Sequence, residues 1–139
     1  MNLLEQDKCR YQGKMPFFHM CFRKAQMTNF PLFKCLWKIL YKISAYFLGI
    51  DIGLKLQAGG GLYFGHPFGI TINPDAVIGN NVNLHKGVTI GAENRGKRKG
   101  TPVIENNVWI GINATIVGNI TIGNDVLIAP NTLVNFDVP

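Results

Sequence analysis

The sequence predicts an all-β fold, a left-handed parallel β-helix, preceded by a short α-helical segment. An aliphatic residue recurs at every sixth position, a small residue usually follows it, and asparagine and aspartate crowd the turns. This period matches neither the α-helical period of 3.6 residues nor a simple meander. It fits a three-sided prism whose anchors stack inward, coil upon coil. The anchors are Ile72, Ile78, Leu84, Ile90, Ile104, Ile110, Ile116, Ile122, Ile128 and Val134.

The spacing of the anchors is broken once, between Ile90 and Ile104. Those fourteen residues correspond to one six-residue unit plus eight extra residues, which read ENRGKRKG at positions 93–100. Insertions into a repeat map to loops that project from the stack, often on the binding side. We therefore expect a projecting, positively charged loop here.

The first coil of the predicted prism is irregular. It is rich in glycine, and counting back by sixes from Ile72 reaches His66, Gly60 and Leu54. This count places a histidine at an inward-facing anchor position. The coil is then either a degenerate end of the stack or a coil adapted for chemistry.

Residues 1–50 are predicted as a helical, basic segment, and residues 51–139 as the β-helix domain. A helix is expected at 32–48, starting near Asn29 and Pro31 and stopping at Gly49. Its apolar face would be Phe33, Leu36, Trp37, Leu40, Ile43 and Phe47, opposite Lys34, Lys38 and Lys42. We expect that face to cap the base of the prism. The alternative is a peripheral membrane contact through 32–48, with the lysines toward anionic lipid.

The charge is uneven along the chain. Residues 1–50 carry eight Lys or Arg against Glu5 and Asp7, whereas residues 51–139 carry six charges of each sign. Because the basic residues alternate with apolar ones and no nucleic-acid motif appears, we expect no nucleic-acid partner. Three cysteines without a CxxC spacing indicate neither a metal site nor a disulfide framework. The start of the chain does not resemble a signal peptide, so the expected location is the cytoplasm, with the inner membrane surface left open.

Histidines are the candidates for catalysis. Ser44 is the only serine, and no nucleophile elbow, P-loop or HExxH motif is present. A general base that activates an outside hydroxyl remains. His66 lies in FGHPFG, between glycines that allow a ligand to approach closely. His85 follows an anchor and is expected to point outward, either as an ordinary surface residue or as a binding residue.

The stretch from Gly49 to Pro139 resembles the serine acetyltransferase branch of the hexapeptide acyltransferases, which includes capsule and exopolysaccharide O-acetyltransferases. The phrases that carry the resemblance are GIDIG (49–53), GLYFGHPFGITINPDAVIG (61–79), NLHKGVTIG (83–91), TPVIENNVWIGINATIVGNITIG (101–123) and IAPNTLVNFDVP (128–139). The resemblance implies an acetyl-CoA-dependent O-acetyltransferase without a metal. It also implies that His66 is the general base and that Asp51, fifteen residues earlier, orients it. Because one coil spans eighteen residues, that spacing nearly completes a circuit and would bring Asp51 beside His66.

The same resemblance implies a homotrimer with its active site in a cleft between neighbouring subunits. Acetyl-CoA would run along the prism as cosubstrate. The backbone near Ala92, Gly111, Ile112 and Pro130 would contact it. The loop side chains Arg95, Lys97, Arg98 and Lys99 would meet its phosphates, unless they form only a solvated loop.

The acceptor is where this sequence departs from the family pattern. Serine acetyltransferases carry an acidic residue before the catalytic histidine and an Arg-His pair before the proline that ends the loop. This chain has Gly65 at the first place and Gly100 and Thr101 at the second. A zwitterion would find few partners here, so we expect a saccharide acceptor, contacted by His85, Gly65 and Thr101. Serine O-acetyl transfer is the alternative, and a non-catalytic trimeric scaffold is the second.

Overall fold

The computed structural model describes all residues, 1–139, as three helices followed by thirteen short strands. The helices are α1 (Leu3–Arg10), α2 (Phe17–Met27) and α3 (Pro31–Leu48). The strands are β1 (Asp51–Ile52), β2 (Gln57–Ala58), β3 (Tyr63–Gly65), β4 (Thr71–Ile72), β5 (Val77–Ile78), β6 (Asn83–His85), β7 (Thr89–Gly91), β8 (Val103–Ile104), β9 (Trp109–Ile110), β10 (Thr115–Val117), β11 (Thr121–Ile122), β12 (Leu127–Ile128) and β13 (Leu133–Val134). No helix is long and apolar enough to cross a bilayer.

The strands form three parallel sheets, which are the three faces of a prism. The first face is β1-β4-β7-β10-β13, the second is β2-β5-β8-β11, and the third is β3-β6-β9-β12. Every third strand along the chain pairs in parallel, as a helical winding requires. All ten predicted anchors are buried, with between 0% and 5% of their surface exposed. Since the anchors of successive coils pair directly, as Ile72 with Ile90 and Ile90 with Ile116, they stack into one continuous apolar column.

The predicted insertion forms a projecting hairpin at the corner between the first and second faces, which we call the loop corner. Glu93 and Gly100 close it with two backbone hydrogen bonds, each 2.9 Å long. The Asn119 N–H also donates to the Arg98 carbonyl, at 2.8 Å. The backbone of the hairpin is therefore attached to the prism, while its basic side chains remain exposed.

Asparagine ladders hold the corner between the second and third faces. Asn81 donates to Asn107, and Asn107 donates to Asp125, over 3.2 and 3.0 Å. Each of these three residues has a positive φ between 56° and 60°. Asparagine and aspartate tolerate this conformation better than other non-glycine residues, which explains why they recur in the turns.

The register expected for the first coil is wrong by two residues. Asp51 pairs with Thr71, and Phe64 with Leu84, so the first circuit takes twenty residues rather than eighteen. The inward anchors of this coil are Ile52, Ala58 and Phe64, instead of Leu54, Gly60 and His66. His66 is exposed, because two extra residues at the corner carry it outside the anchor register.

The helices α1 and α2 close the base of the prism through a buried polar cluster. The carboxylate of Asp7 accepts from Arg23 Nε at 2.6 Å and from the Leu62 N–H at 2.8 Å. Arg23 also donates to the carbonyls of Ala58 and Gly59 in the first coil. Asp7 and Arg23 are completely buried. This ion pair therefore joins both helices to the first coil, at the end of the second face that they cover.

The prediction for α3 is correct in its limits but wrong in the face that packs. Pro31 is the first helical residue, and Gly49 ends the helix in the left-handed conformation, as expected. However, the fully buried side chains are Tyr41 and Ala45, and of the predicted face only Trp37 and Leu40 pack against the core, both half-buried. The predicted packing residues Phe33, Leu36, Ile43 and Phe47 are between 47% and 78% exposed. The reason is that α2 covers the base of the prism, and α3 packs mainly on α2.

Candidate active site

His66 lies at the corner between the third and first faces, which we call the His66 corner. In each later coil a single residue lies between the end of the third face and the turn residue with positive φ. These single residues are Lys86, Ile112 and Pro130, and the turn residues after them are Gly87, Asn113 and Asn131. In the first coil three residues, His66 to Phe68, span the same gap between Gly65 and Gly69. The extra pair His66–Pro67 therefore protrudes from the corner.

The backbone of His66 is left-handed, with φ of 52°. The other non-glycine residues of the prism with positive φ are all asparagine or aspartate: Asn81, Asn107, Asn113, Asp125 and Asn131. Holding a non-glycine residue in this conformation costs free energy, and residues held in this way are often found at functional sites. His66 is exposed, so its imidazole is accessible to a bound molecule.

His85 lies beside this corner on the third face. It pairs with Gly65, and a Cβ added to Gly65 would come within 2.5 Å of Cε1 and Nδ1 of the His85 ring. The ring also packs against Trp109, with centroids 4.6 Å apart. Gly65 is therefore required because the His85 ring occupies the space above it. His85 projects from the outer side of the strand, as expected, and is half-buried.

The electrostatic environment favours a neutral His85. Burial lowers the pKa of its imidazole, and the proximity of His66 lowers this pKa further. The Nε2 atom of His85 is buried without a hydrogen-bond partner. A neutral His85 ring adds no fixed positive charge to the corner beside His66.

Asp51 begins the first face, on the other side of the His66 corner. Its N–H donates to the Ile70 carbonyl at 2.8 Å, and its side chain is exposed. No ion pair within 4.0 Å joins Asp51 to His66 in this chain, because the first circuit closes at Thr71, five residues beyond His66. Asp51 instead lines a groove of about 460 Å³ with Tyr41, Lys42 and other residues of the α3–β1 junction.

The residues expected to contact acetyl-CoA lie on two different corners. Ile112 and Pro130 follow the third face at the His66 corner, and Pro130 packs so closely over Gly111 that a Cβ there would be 2.6 Å from its nitrogen. Ala92 follows the first face at the loop corner, next to the hairpin. Thr101 is also at the loop corner, where its hydroxyl donates to the Asp75 carbonyl at 3.0 Å. One chain therefore does not bring these two groups together.

The hairpin carries most of the positive charge of the prism. Of its four basic side chains, only Arg98 has an ionic partner, Glu93, at 3.6 Å. Arg95, Lys97 and Lys99 are exposed without an acidic partner, so they remain available for an anion.

Comparison with known proteins places the chain in a family. The model of the family described as "Bacterial transferase hexapeptide (six repeats)" matches residues 101–135. The serine acetyltransferase of Helicobacter pylori is 32% identical over 120 residues, which are 86% of this chain and 70% of that protein. The chain belongs to the serine acetyltransferase branch of the hexapeptide-repeat acyltransferases.

Solved structures of this branch have the same fold. Soybean serine acetyltransferase complexed with serine is 27% identical with a TM-score of 0.78, over 99% of this chain and 63% of that one. A serine acetyltransferase in complex with CoA is 25% identical with a TM-score of 0.75, over 99% and 61%. These similarities confirm the left-handed parallel β-helix. The chain thus spans somewhat less than two thirds of these serine acetyltransferases.

Two residues beside the candidate histidines were missed from the sequence. Trp109 packs on His85 across a coil boundary, and Lys86 occupies the place in its coil that corresponds to the protrusion of His66. Both residues could have been located by counting along the coils. For example, one coil of eighteen residues plus the eight-residue insertion leads from Asn83 to its partner Trp109. The same count follows from the eight extra residues in the sequence, but only the structure shows that the rings of Trp109 and His85 are in contact.

Proposed function

We propose that this protein transfers an acetyl group from acetyl-CoA to an acceptor hydroxyl, with His66 as general base. The observation that carries the proposal is the two-residue protrusion that places an exposed histidine, in a left-handed conformation, at a corner of the prism. The imidazole takes the acceptor's hydroxyl proton as its oxygen attacks the thioester carbonyl. The tetrahedral intermediate then collapses, the carbon–sulfur bond breaks, and the CoA thiolate takes that proton from the imidazolium, which restores the neutral base. The products are the O-acetyl ester and free CoA.

Asp51 is the proposed positioning partner of His66. Both side chains are exposed, His66 on its protrusion and Asp51 at the start of β1, on the two sides of one corner. A carboxylate that accepts from one ring nitrogen fixes the tautomer and stabilises the imidazolium. The pairing is tested by Asp51→Asn, which should lower kcat while leaving the KM for acetyl-CoA nearly unchanged.

The proposed acetyl-CoA site is shared between two subunits of a trimer. The support for this is that Ile112 and Pro130 lie at the His66 corner, whereas Ala92 and the basic hairpin lie at the loop corner of the same chain. A neighbouring copy that turns its loop corner toward the His66 corner completes the site. In that cleft, Arg95, Lys97, Arg98 and Lys99 supply positive charge for the phosphates of CoA.

Mixed assembly tests the shared site. A His66→Asn variant and a variant with all four basic hairpin residues changed to alanine are each expected to lose activity. Co-refolding the two should restore a fraction of it, because some clefts then combine an intact histidine with an intact hairpin. No recovery in a mixed population of trimers, or a monomeric mass by light scattering, would contradict the shared site.

Serine is the acceptor that the comparisons favour, since the relatives are serine acetyltransferases, one of them solved with serine. This outweighs the preference for a saccharide that the sequence alone suggested. The saccharide remains as the second candidate on one observation: Gly65 beside His66, and Thr101 on the other corner, provide no charge for a zwitterion. Comparing thiol release with serine and with a panel of nucleotide sugars and oligosaccharides decides between them.

The variant His66→Asn tests the general base with little disturbance of the fold. Asparagine occupies the left-handed position at several other corners of the prism, so it should keep the backbone while removing the base. Loss of a general base lowers the rate by about 10²–10⁴-fold. An unchanged melting temperature together with turnover within a few-fold of the parent would show that His66 is not the base. Absence of acetyl-CoA binding by calorimetry to the parent protein would instead support the non-catalytic scaffold.

A further inference from the structure

The outer face of α3 is an exposed apolar surface. Its residues recur at helical spacing along the side of the helix that points away from α2. Tyr46, Phe47 and Leu32 are 82%, 78% and 70% exposed. The complete face is Leu32, Phe33, Leu36, Ile39, Ile43, Tyr46 and Phe47. Contiguous apolar patches of this kind mark interaction sites, since scattered single residues would need no explanation.

The inner side of α3 is firmly attached, so the outer face does not turn inward. The Tyr41 hydroxyl donates to the Ile52 carbonyl of the first coil at 2.5 Å. The Lys24 ammonium of α2 lies 4.2 Å from the centre of the Trp37 ring. Tyr41 and Ala45 belong to the same buried cluster as the first coil of the prism. Covering the outer face therefore needs something from outside this chain.

The charge around the outer face is positive on balance, although Asp51 is exposed beside Lys42 and Tyr46 just beyond the end of α3. Lys38 and Lys42 are both exposed on α3, with Lys42 next to the apolar face and Lys38 farther round the helix. Neither α2 nor α3 contains an aspartate or glutamate. The acidic residues of positions 1–50 are only Glu5 and Asp7, and Asp7 is buried in its pair with Arg23. The surface that surrounds the apolar face is therefore positive.

We propose that the outer face of α3 docks on an anionic lipid surface. An amphipathic helix with aromatic and aliphatic side chains on one side and lysines at its edge lies in the plane of a bilayer interface. The helix does not cross the bilayer. A two-fold contact with a second copy through this face fits less well, because it would bring the lysines of α3 toward the same lysines, with only Asp51 of each copy to offset them. This proposal does not depend on the acetyl-transfer reaction.

Cosedimentation with vesicles at low salt tests the docking. The full chain should bind phosphatidylcholine vesicles that contain phosphatidylglycerol, and bind much less to phosphatidylcholine alone. Replacing Lys38 and Lys42 with glutamine should weaken binding about thirtyfold, at about fivefold for each lysine near an anionic surface. The matched control changes Lys97 and Lys99 to glutamine, which removes the same charge from the hairpin and should leave binding nearly unchanged.

The apolar contribution is tested on the same vesicles. Phe47→Ser should weaken binding at least about tenfold, because the ring would lose its burial in the interface. The control is Leu133→Ser, an exposed leucine on the first face of the prism. A polarity-sensitive dye on the exposed Cys35, in a Cys9→Ser background, should shift to the blue on binding.

Several results would overturn the docking proposal. These are no binding to anionic vesicles, equal losses in the Lys38/Lys42 and Lys97/Lys99 variants, or an unchanged dye spectrum. Self-association through α3, seen as a concentration-dependent doubling of mass that Phe47→Ser abolishes, would assign the face to a second copy instead. An unchanged melting temperature shows that the α3 variants are folded. Acetyl transfer to a soluble acceptor should be unchanged in Phe47→Ser, which separates this proposal from that of the active site.

Discussion

Replacing Asp7 with alanine is expected to detach the N-terminal helices from the prism. Asp7 is completely buried, where it accepts from Arg23 Nε at 2.6 Å and from the Leu62 N–H at 2.8 Å. The alanine variant leaves the Arg23 guanidinium in a buried site without its counter-charge. It also removes the acceptor of a backbone N–H in the first coil.

The magnitude of the loss follows from these two contacts. Removing one partner of a buried ion pair costs about 3–5 kcal/mol, because the remaining charge is uncompensated. An unsatisfied buried N–H costs about 1–3 kcal/mol, part of which is already included in the first figure. We therefore expect a loss of about 4 kcal/mol, a large share of the ~5–15 kcal/mol that stabilises a typical domain.

Urea unfolding followed by far-ultraviolet circular dichroism measures this loss. Asp7→Asn keeps an acceptor for the Leu62 N–H and removes only the charge, so its stability should lie between those of the parent and Asp7→Ala. Lys8→Ala changes an exposed residue of the same helix and serves as control. If Asp7→Ala lies within about 1 kcal/mol of Lys8→Ala, the buried pair does not hold the helices and the reasoning is refuted.

Three further predictions concern the site, the core and the pH dependence. Gly65→Ala should displace the His85 ring and lower kcat/KM, whereas Gly91→Ala, whose added Cβ meets only Val117 Cγ1 at 3.3 Å, should cost less; equal effects would contradict this. Ile110→Ala should lower the free energy of unfolding by about 2–5 kcal/mol in urea titrations, and a loss below ~1 kcal/mol would mean that the column collapses around the cavity. Burial holds the pKa of His19 below 6.5, so near this pH the unfolded chain binds a proton at His19 and the folded chain does not. The free energy of unfolding should therefore fall as the pH is lowered through about 6.5. His19→Asn should remove that slope, and an unchanged slope would assign it to another group.

Asp7 should add a second, more acidic loss of stability. Burial alone would raise the pKa of its carboxyl, but the contact with His19 and the hydrogen bond from Arg23 outweigh burial and hold the pKa below 3.8. His19 Nε2 is only 3.0 Å from Asp7 Oδ2, although the contact lacks the alignment of a hydrogen bond. Since the folded-state pKa is lowered, this contribution is present above the ordinary pKa and is lost as the pH falls through the folded-state value.

The regular part of the molecule could be read from the sequence. The six-residue anchors are all buried, and the eight extra residues form a hairpin that closes at Glu93 and Gly100. The limits of α3 follow from Pro31 and Gly49. Each of these features depends on local chemistry: an apolar side chain at a fixed interval, or a residue whose backbone freedom allows one turn.

The candidate site was only partly accessible in this way. The family resemblance implied that His66 is the general base, whereas the fixed six-residue count assigned it to the core. In the structure it is exposed on a two-residue protrusion. A count cannot locate an insertion of two residues when the coil around it has weak anchors, and Ala58 is such an anchor. For the same reason the circuit that begins at Asp51 takes twenty residues instead of the expected eighteen.

The sequence by itself determined the parallel β-helix, its regular corners and the position of its basic hairpin. In a stack of repeated units each residue contacts only its own coil and the neighbouring coils, so a local pattern is enough to predict them. Tertiary structure alone decided where His66 stands, that Trp109 packs on His85, that Asp7 and Arg23 are buried together, and which side of α3 is left exposed. These depend on contacts between segments that are distant in the chain. Which of these segments pack together depends on which of their surfaces become buried, and a local sequence pattern does not show this.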